Sequence, residues 1–380
     1  MAPNVVANKK DLMKTLLNYL KHKKLDRKNK ILLALFTLGV MFLLFSPTKQ
    51  YKQAKVGQII ESNGKGWIAL RGVVLSDITA FNFNQSGSFG LAISSTGEVL
   101  ATNNGGSNWF LAEKVPTSGD TVSSLAINGN QVLVATMMED SSFASLYQLV
   151  GKKWSVKSGN YAGITGLSRD GKWGVGGAGF LYQILDDGNF TASRLPSWAE
   201  NTTLYSISTK GNNLLVVGDY GLVVSSNDNG ENWSFVDVGV KTEKPLYACF
   251  IGQGITAIGG IGTFYCSTNI NVGRVEDVAN VTNASANDWY QIKGLTDKAA
   301  IFSFYQDKES QEVFAVGGGL DGGNAFILSS HDGVNWYQET VDSQYGRIVA
   351  VAKCRVGILA ATQLGQILIR QDTSLIGSKQ

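Results

Sequence analysis

From about residue 60 to residue 372 the chain repeats one pattern of apolar and polar positions. Short apolar runs break at glycine- or asparagine-rich turns, then resume. Seven runs open the recurring unit: SDITAFNF, SSLAING, ITGLSRD, LYSISTK, LYACFIG, IFSFYQD and RIVAVAK. The first turns, such as NGN (128–130), RDGK (169–172), KGNN (210–213) and GQG (252–254), suit hairpins that need positive φ. Second turns read STGE, GGAG, GDYG, GGIG and TQLG, and a tryptophan often follows the third run. Units of about 40–50 residues, each with four short strands, predict an all-β fold, a β-propeller of about seven four-stranded blades. The last unit begins at Arg347, offers GILAAT and QILIR, and then lacks a fourth strand. The segment GWIAL, 66–70, is expected to supply it and so remove both sheet edges.

A different pattern precedes the repeats. ILLALFTLGVMFLLF, Ile31–Phe45, carries no charge, and 18 residues separate Lys30 from Lys49. That length crosses a bilayer. The basic stretch before it is long for a cleaved signal, and SPTKQ after it has no small-x-small cleavage pattern, so an uncleaved signal anchor is expected. Nine Lys or Arg lie before residue 31 against Lys49, Lys52 and Lys55 beyond, which keeps the amino end in the cytoplasm. Leu12, Met13, Leu16, Leu17 and Leu20 share one helical face among lysines. An amphipathic helix on the anionic inner leaflet is the expected reading, with partner docking as the other. The expected organisation is an arm over 1–30, a transmembrane helix over 31–48, a linker over 49–60, the propeller over 61–372 and a tail over 373–380. This places the propeller in the periplasm, or outside the cytoplasm generally, on a bacterial inner membrane.

Composition narrows the function. The whole chain has 33 Lys+Arg and 30 Asp+Glu, and the arm takes nine and two, which leaves 24 against 28 in the remainder. A slightly acidic domain argues against nucleic acid. Glycine numbers 44 and proline 5, which suits many tight turns in a folded chain. Cys249, Cys266 and Cys354 are far apart, and His22 and His331 are the only histidines, so no metal or cofactor is expected.

The turn SSNDNGENW explains its own residues. Ser226, Asp228, Gly230 and Trp233 read S-x-D-x-G-x-x-W; Thr102, Asn104, Gly106 and Trp109 repeat it with an amide; Asp332, Gly333 and Trp336 end a shorter copy. The hydroxyl and acid bond backbone N–H groups, glycine takes the left-handed position, and tryptophan packs beneath. These motifs resemble the Asp-box, or bacterial neuraminidase repeat. The fuller VGDYGLVVSSNDNGENW resembles the propellers of photosystem II assembly factors. The resemblance implies a propeller with structural boxes, and assembly of a membrane complex as its role.

No catalytic residues are expected. His331, the only histidine after the anchor, lies inside a box, and the arginines Arg71, Arg169, Arg194, Arg274, Arg347, Arg355 and Arg370 do not form the neuraminidase opening motif. Several of them are expected in strand turns on the wrong face. Paired carboxylates among Asp219, Asp321 and Glu200 keep glycoside cleavage as an alternative. The loop face is expected to carry Trp198, Glu200, Asp219, Tyr220, Asp321, Tyr345 and Arg347. Aromatics with an arginine and acids suit recognition of another membrane or envelope protein, with glycan binding as the alternative.

Overall fold

The structure is a computed structural model that describes residues 55–138, 145–157, 163–239, 243–268 and 289–372. The arm, the apolar segment 31–48 and the tail 373–380 lie outside the described residues. Among those described, no helix is long and apolar enough to cross a membrane.

The described chain is all-β. Four antiparallel four-stranded sheets follow one another over 80–112, 121–156, 164–194 and 204–235, here blades 1 to 4. Three more span 246–293, 299–340 and 348–372, blades 5 to 7, and one strand, β1 (Lys55–Val74), joins them into a single sheet. Blade 7 supplies three strands from the end of the chain, and β1 supplies the fourth. Gly66 to Ala69 pair antiparallel with Gln371 to Leu368. Every first strand is therefore flanked on both sides, and the ring is closed.

β1 begins at Lys55, inside the stretch read as linker. Its opening residues run parallel to the outer strands of two blades: Lys55–Gln58 beside Tyr290–Lys293, then Gln58–Glu61 beside Asn335–Gln338. The added strand covers edges that blades 5 and 6 would otherwise leave open. Ile59 drops from it onto the core between those blades.

The core is a set of wedges. Seven buried apolar clusters each draw on two adjacent blades, one per junction around the ring. Strands with apolar residues on both sides of the alternation, such as Asn213–Gly218 and Val313–Gly319, are buried almost throughout for this reason. Cys249, Cys266 and Cys354 are free thiols within these wedges.

The tryptophan turns join third to fourth strands. Ser226 Oγ donates to Asp228 Oδ1 at 2.7 Å and accepts from Gly230 N at 2.8 Å. Asp228 accepts from Asn232 N at 2.9 Å, and Trp233 Nε1 donates to the Gly230 carbonyl at 3.1 Å. Gly230 has φ 87°, and a Cβ there would come within 2.7 Å of Trp173 in blade 3. Ser330, Asp332, Gly333 and Trp336 repeat the pattern, with Trp336 fully buried. In blade 1, Thr102 and Asn104 hold Gly106 and Asn108, but the buried Trp109 Nε1 has no partner among the described residues and its ring packs on Phe81 and Phe83.

Candidate functional site

The seven first strands surround a central channel of about 1380 Å³. Six of them share an irregularity. In blades 2 to 7 the pairing of first and second strands skips one residue: Ser123, Thr165, Tyr205, Tyr247, Phe302 and Val349 respectively. Such a bulge takes a side chain out of the alternation and re-aims it. All six skipped residues line the channel.

What those positions carry divides the lining. In blades 2 and 3 the residues are hydroxylic and staple the next blade: Ser123 Oγ donates to the Ile164 carbonyl at 2.6 Å, and Thr165 Oγ1 donates to the Leu204 carbonyl. In blades 4 to 6 they are aromatic. Tyr205 meets Tyr247 edge-on at 5.2 Å, and Tyr247 stacks on Phe302 at 5.7 Å. The Arg347 guanidinium closes the arc 4.8 Å above the Phe302 ring. Gly318 makes room for it, since a Cβ there would come within 2.4 Å of Arg347 Cβ.

Asp219 and Tyr220 join this arc. Both belong to the short turn Asp219–Gly221 between the second and third strands of blade 4. Asp219 Oδ1 accepts from Tyr205 Oη at 3.0 Å. Burial first, then the Asp219 charge, raises the Tyr205 pKa well above the tyrosine range, so this hydroxyl remains a donor. Tyr220 has φ 57° and ψ 27°, and 74% of it is exposed. The corresponding turn of blade 3 puts Ala178 at φ 51°. A bulky aromatic in the left-handed region costs about 1–2 kcal/mol, and a backbone outlier of this kind points towards function.

The other residues singled out in the sequence contribute unequally. Trp198 is exposed in the connection from blade 3 to blade 4. Glu200 lies beside Gly179, whose missing Cβ would come within 2.9 Å of its Cα. Asp321 turns its carboxylate on its own loop, accepting from Gly323 N at 3.1 Å. Tyr345 packs on the wedge between blades 6 and 7 and is half-buried. The structure thus unites Asp219, Tyr220 and Arg347 with three aromatics that the sequence reading passed over. A tyrosine or phenylalanine at the skipped position of three successive first strands was the available signal.

One arginine is placed differently from the expectation. Arg169, read as a turn residue on the wrong face, lines the channel and lies 4.4 Å over the ring of Tyr305. Blades 3 and 6 are not neighbours, so this contact crosses the channel. Arg169 is exposed to the channel, and the protein around it lowers its pKa from the ordinary value.

No known protein-family model matches the chain, and no curated protein matches it. Solved structures do. YCF48 bound to D1 peptide is 15% identical, with a TM-score of 0.55, over 82% of this chain and 98% of that one. YCF48 from Cyanidioschyzon merolae is 17% identical, with a TM-score of 0.56, over 80% and 98%. A catalytically inactive virginiamycin B lyase from Staphylococcus aureus with quinupristin is 12% identical, with a TM-score of 0.60, over 81% and 98%. At these identities the likeness establishes the β-propeller fold, a fold shared here by an enzyme and by a protein solved with a peptide.

Proposed function

We propose that this chain is a membrane-tethered, non-catalytic propeller that binds another membrane or envelope protein through the mouth of its channel. The observation that carries the proposal is Tyr220: a bulky ring held exposed on left-handed backbone, beside Asp219 and the aromatic arc. Exposed aromatics next to an arginine are the usual anchors of protein interfaces. Among proteins of similar fold, YCF48 has been solved with a D1 peptide, and another propeller belongs to the mitotic checkpoint complex. The tether rests on Ile31–Phe45 and the basic arm, with the amino end in the cytoplasm and the propeller in the periplasm of a bacterial inner membrane. Confinement at the bilayer raises the effective concentration towards membrane partners, so a modest interface suffices. The non-catalytic part rests on residue placement: His331 lies in the outer turn of blade 6, outside the channel lining, and Asp321 is engaged in its own loop.

Copurification from detergent-solubilised membranes tests this reading. The Trp198→Ala/Tyr220→Ala variant should fold and lose a stoichiometric membrane partner. Retention of the partner would place the binding face elsewhere. Glycoside hydrolysis by the purified propeller, abolished by Asp219→Asn, would overturn the non-catalytic reading.

A further inference from the structure

The channel has more cations than its own acids can satisfy. Its lining carries six, Arg169, Lys210, Lys308, Arg347, Lys353 and Arg355, against Asp77, Asp170, Asp307 and Glu309. With Asp219 at the mouth counted as well, an excess of one positive charge lies inside a domain that is acidic overall. The four acids are already engaged. Asp77 accepts from Ser95 N, Asp170 accepts from Ser168 and Thr209, and Asp307 and Glu309 share Lys353 at 3.3 Å. Lys210 donates to the Gly252 carbonyl at 2.7 Å.

Arg169 and Arg347 have no such partners. Among the described residues neither guanidinium makes a hydrogen bond or ion pair; each only lies over a ring, Tyr305 and Phe302 respectively. Stacking holds the guanidinium plane and leaves its N–H edge free, the arrangement that takes a carboxylate in two parallel hydrogen bonds. Phe302 and Tyr305 are three residues apart on one strand, Ala299–Gln306. At about 3.3 Å per residue the two stacked guanidiniums are separated by on the order of 10 Å along the channel. The wall between and beside them is aromatic.

We infer that the channel binds a small organic dicarboxylate, one carboxylate on Arg347 at the mouth, the other on Arg169 deeper in, and the hydrocarbon between them along the aromatic wall. The ligand is a small molecule because two carboxylates with a short hydrocarbon between them match the two stacked arginines. The inference goes beyond the proposed protein interface and stands without it, since it shares Arg347 and the aromatic arc but uses neither Trp198 nor Tyr220.

Calorimetric titration and thermal unfolding of the membrane-free propeller, at fixed ionic strength in chloride buffer, test it with suberate, succinate and acetate. Suberate and succinate should bind and raise the unfolding midpoint, with acetate at least about tenfold weaker because it engages one arginine only. Arg169→Met and Arg347→Met should each weaken suberate by more than tenfold. Arg169→Lys, which keeps the charge but loses the fork, should fold and bind weakly, and it serves if the methionine variant fails to fold. The Trp198→Ala/Tyr220→Ala variant should bind suberate normally, which separates failure here from failure of the protein interface. Suberate binding no tighter than acetate, or undiminished in both Arg169 variants, would overturn the inference.

Discussion

Replacing Arg370 by methionine should destabilise the propeller more than any other surface-distant change of one side chain in blade 7. Arg370 forks onto Glu312 at 2.6 and 2.8 Å, and reaches Glu339 through Nε at 3.0 Å and through Nη2. Trp67 Nε1 donates to the same Glu339 at 2.7 Å. Side-chain exposures are 13% for Arg370, 12% for Glu312 and 0% for Glu339, so Arg370 bridges two acids in a nearly dry place. Burial pushes the Glu312 pKa up, but the hydrogen bonds and charge of Arg370 outweigh it and hold the group below its ordinary value. Methionine fills the volume and takes the guanidinium away from both carboxylates. Breaking a buried pair in this way costs about 3–5 kcal/mol, a large part of a total stability on the order of 5–15 kcal/mol.

Urea unfolding at pH 7 measures that cost, and pH gives it a signature. In the wild type the depressed Glu312 contributes stability that is present above its ordinary pKa and lost as pH falls through the lower native value. Without Arg370 the same carboxylate is buried with only the smaller effects of His331 and Ser329 to hold it down, so its pKa rises, and the variant should gain stability relative to wild type as pH falls from 7 towards 5. The triple variant Arg370→Met/Glu312→Gln/Glu339→Gln should recover most of the loss, because glutamine still accepts from Trp67. A single-variant loss below about 1 kcal/mol, or the same pH slope as wild type, would refute the account.

The Ser226–Asp228 turn and the closing strand give two further tests. Asp228→Ala removes the acceptor of three bonds and should cost about 1–2 kcal/mol. Bonds from Asn232 and Ser226 hold the Asp228 pKa at about 2, so the gap between wild type and variant should persist above pH 4 and close as pH falls towards 2. Chains starting after Ala54 should be soluble and folded, whereas chains starting after Val73 lose both the rim strand and the fourth strand of blade 7 and should aggregate. Equal solubility, measured by light scattering of the purified chains, would show that β1 does not close the ring.

The propeller was legible because its information is local and repeated. Each apolar run, each positive-φ turn and each Ser-x-Asp-x-Gly-x-x-Trp turn is complete within about ten residues, and seven copies average out the ambiguity of any one. The channel was hidden for the opposite reason. In LYSIS, LYACF and IFSF the aromatic following an apolar residue reads as ordinary alternation, and only the skipped pairing at Tyr205, Tyr247 and Phe302 re-aims it. The rim pairing of KVGQIIE with strands more than 200 residues away has no local signature. Nor does the Arg370 cluster, whose members lie 31 and 58 positions apart. Arg169 was misplaced because a turn was read as surface, whereas in a ring the inner end of a turn also borders the channel.

The residues that close the ring and those that line its channel are mechanically the same problem. Phe302 and Tyr305 belong to blade 6, Arg347 to blade 7, and the stacked guanidinium therefore bridges two blades. No main-chain ladder joins their first strands, so their relative position is set by the wedge between them and by its ends. At the inner end, Lys353 of blade 7 pairs with Asp307 of blade 6. At the outer end, Arg370 of blade 7 pairs with Glu312 and Glu339 of blade 6, while Trp67 of β1 bonds the same Glu339. Blade 7 is also the only one assembled from both ends of the described chain, which makes this junction the place where an open ring would part first. Ion pairs at an otherwise apolar junction add little net stability but resist sliding, because any shift leaves a charge unpaired. That property is what a two-point site needs: Arg169 of blade 3 stacks on Tyr305 of blade 6, so its distance from Arg347 also depends on blade 6 not moving against blade 7.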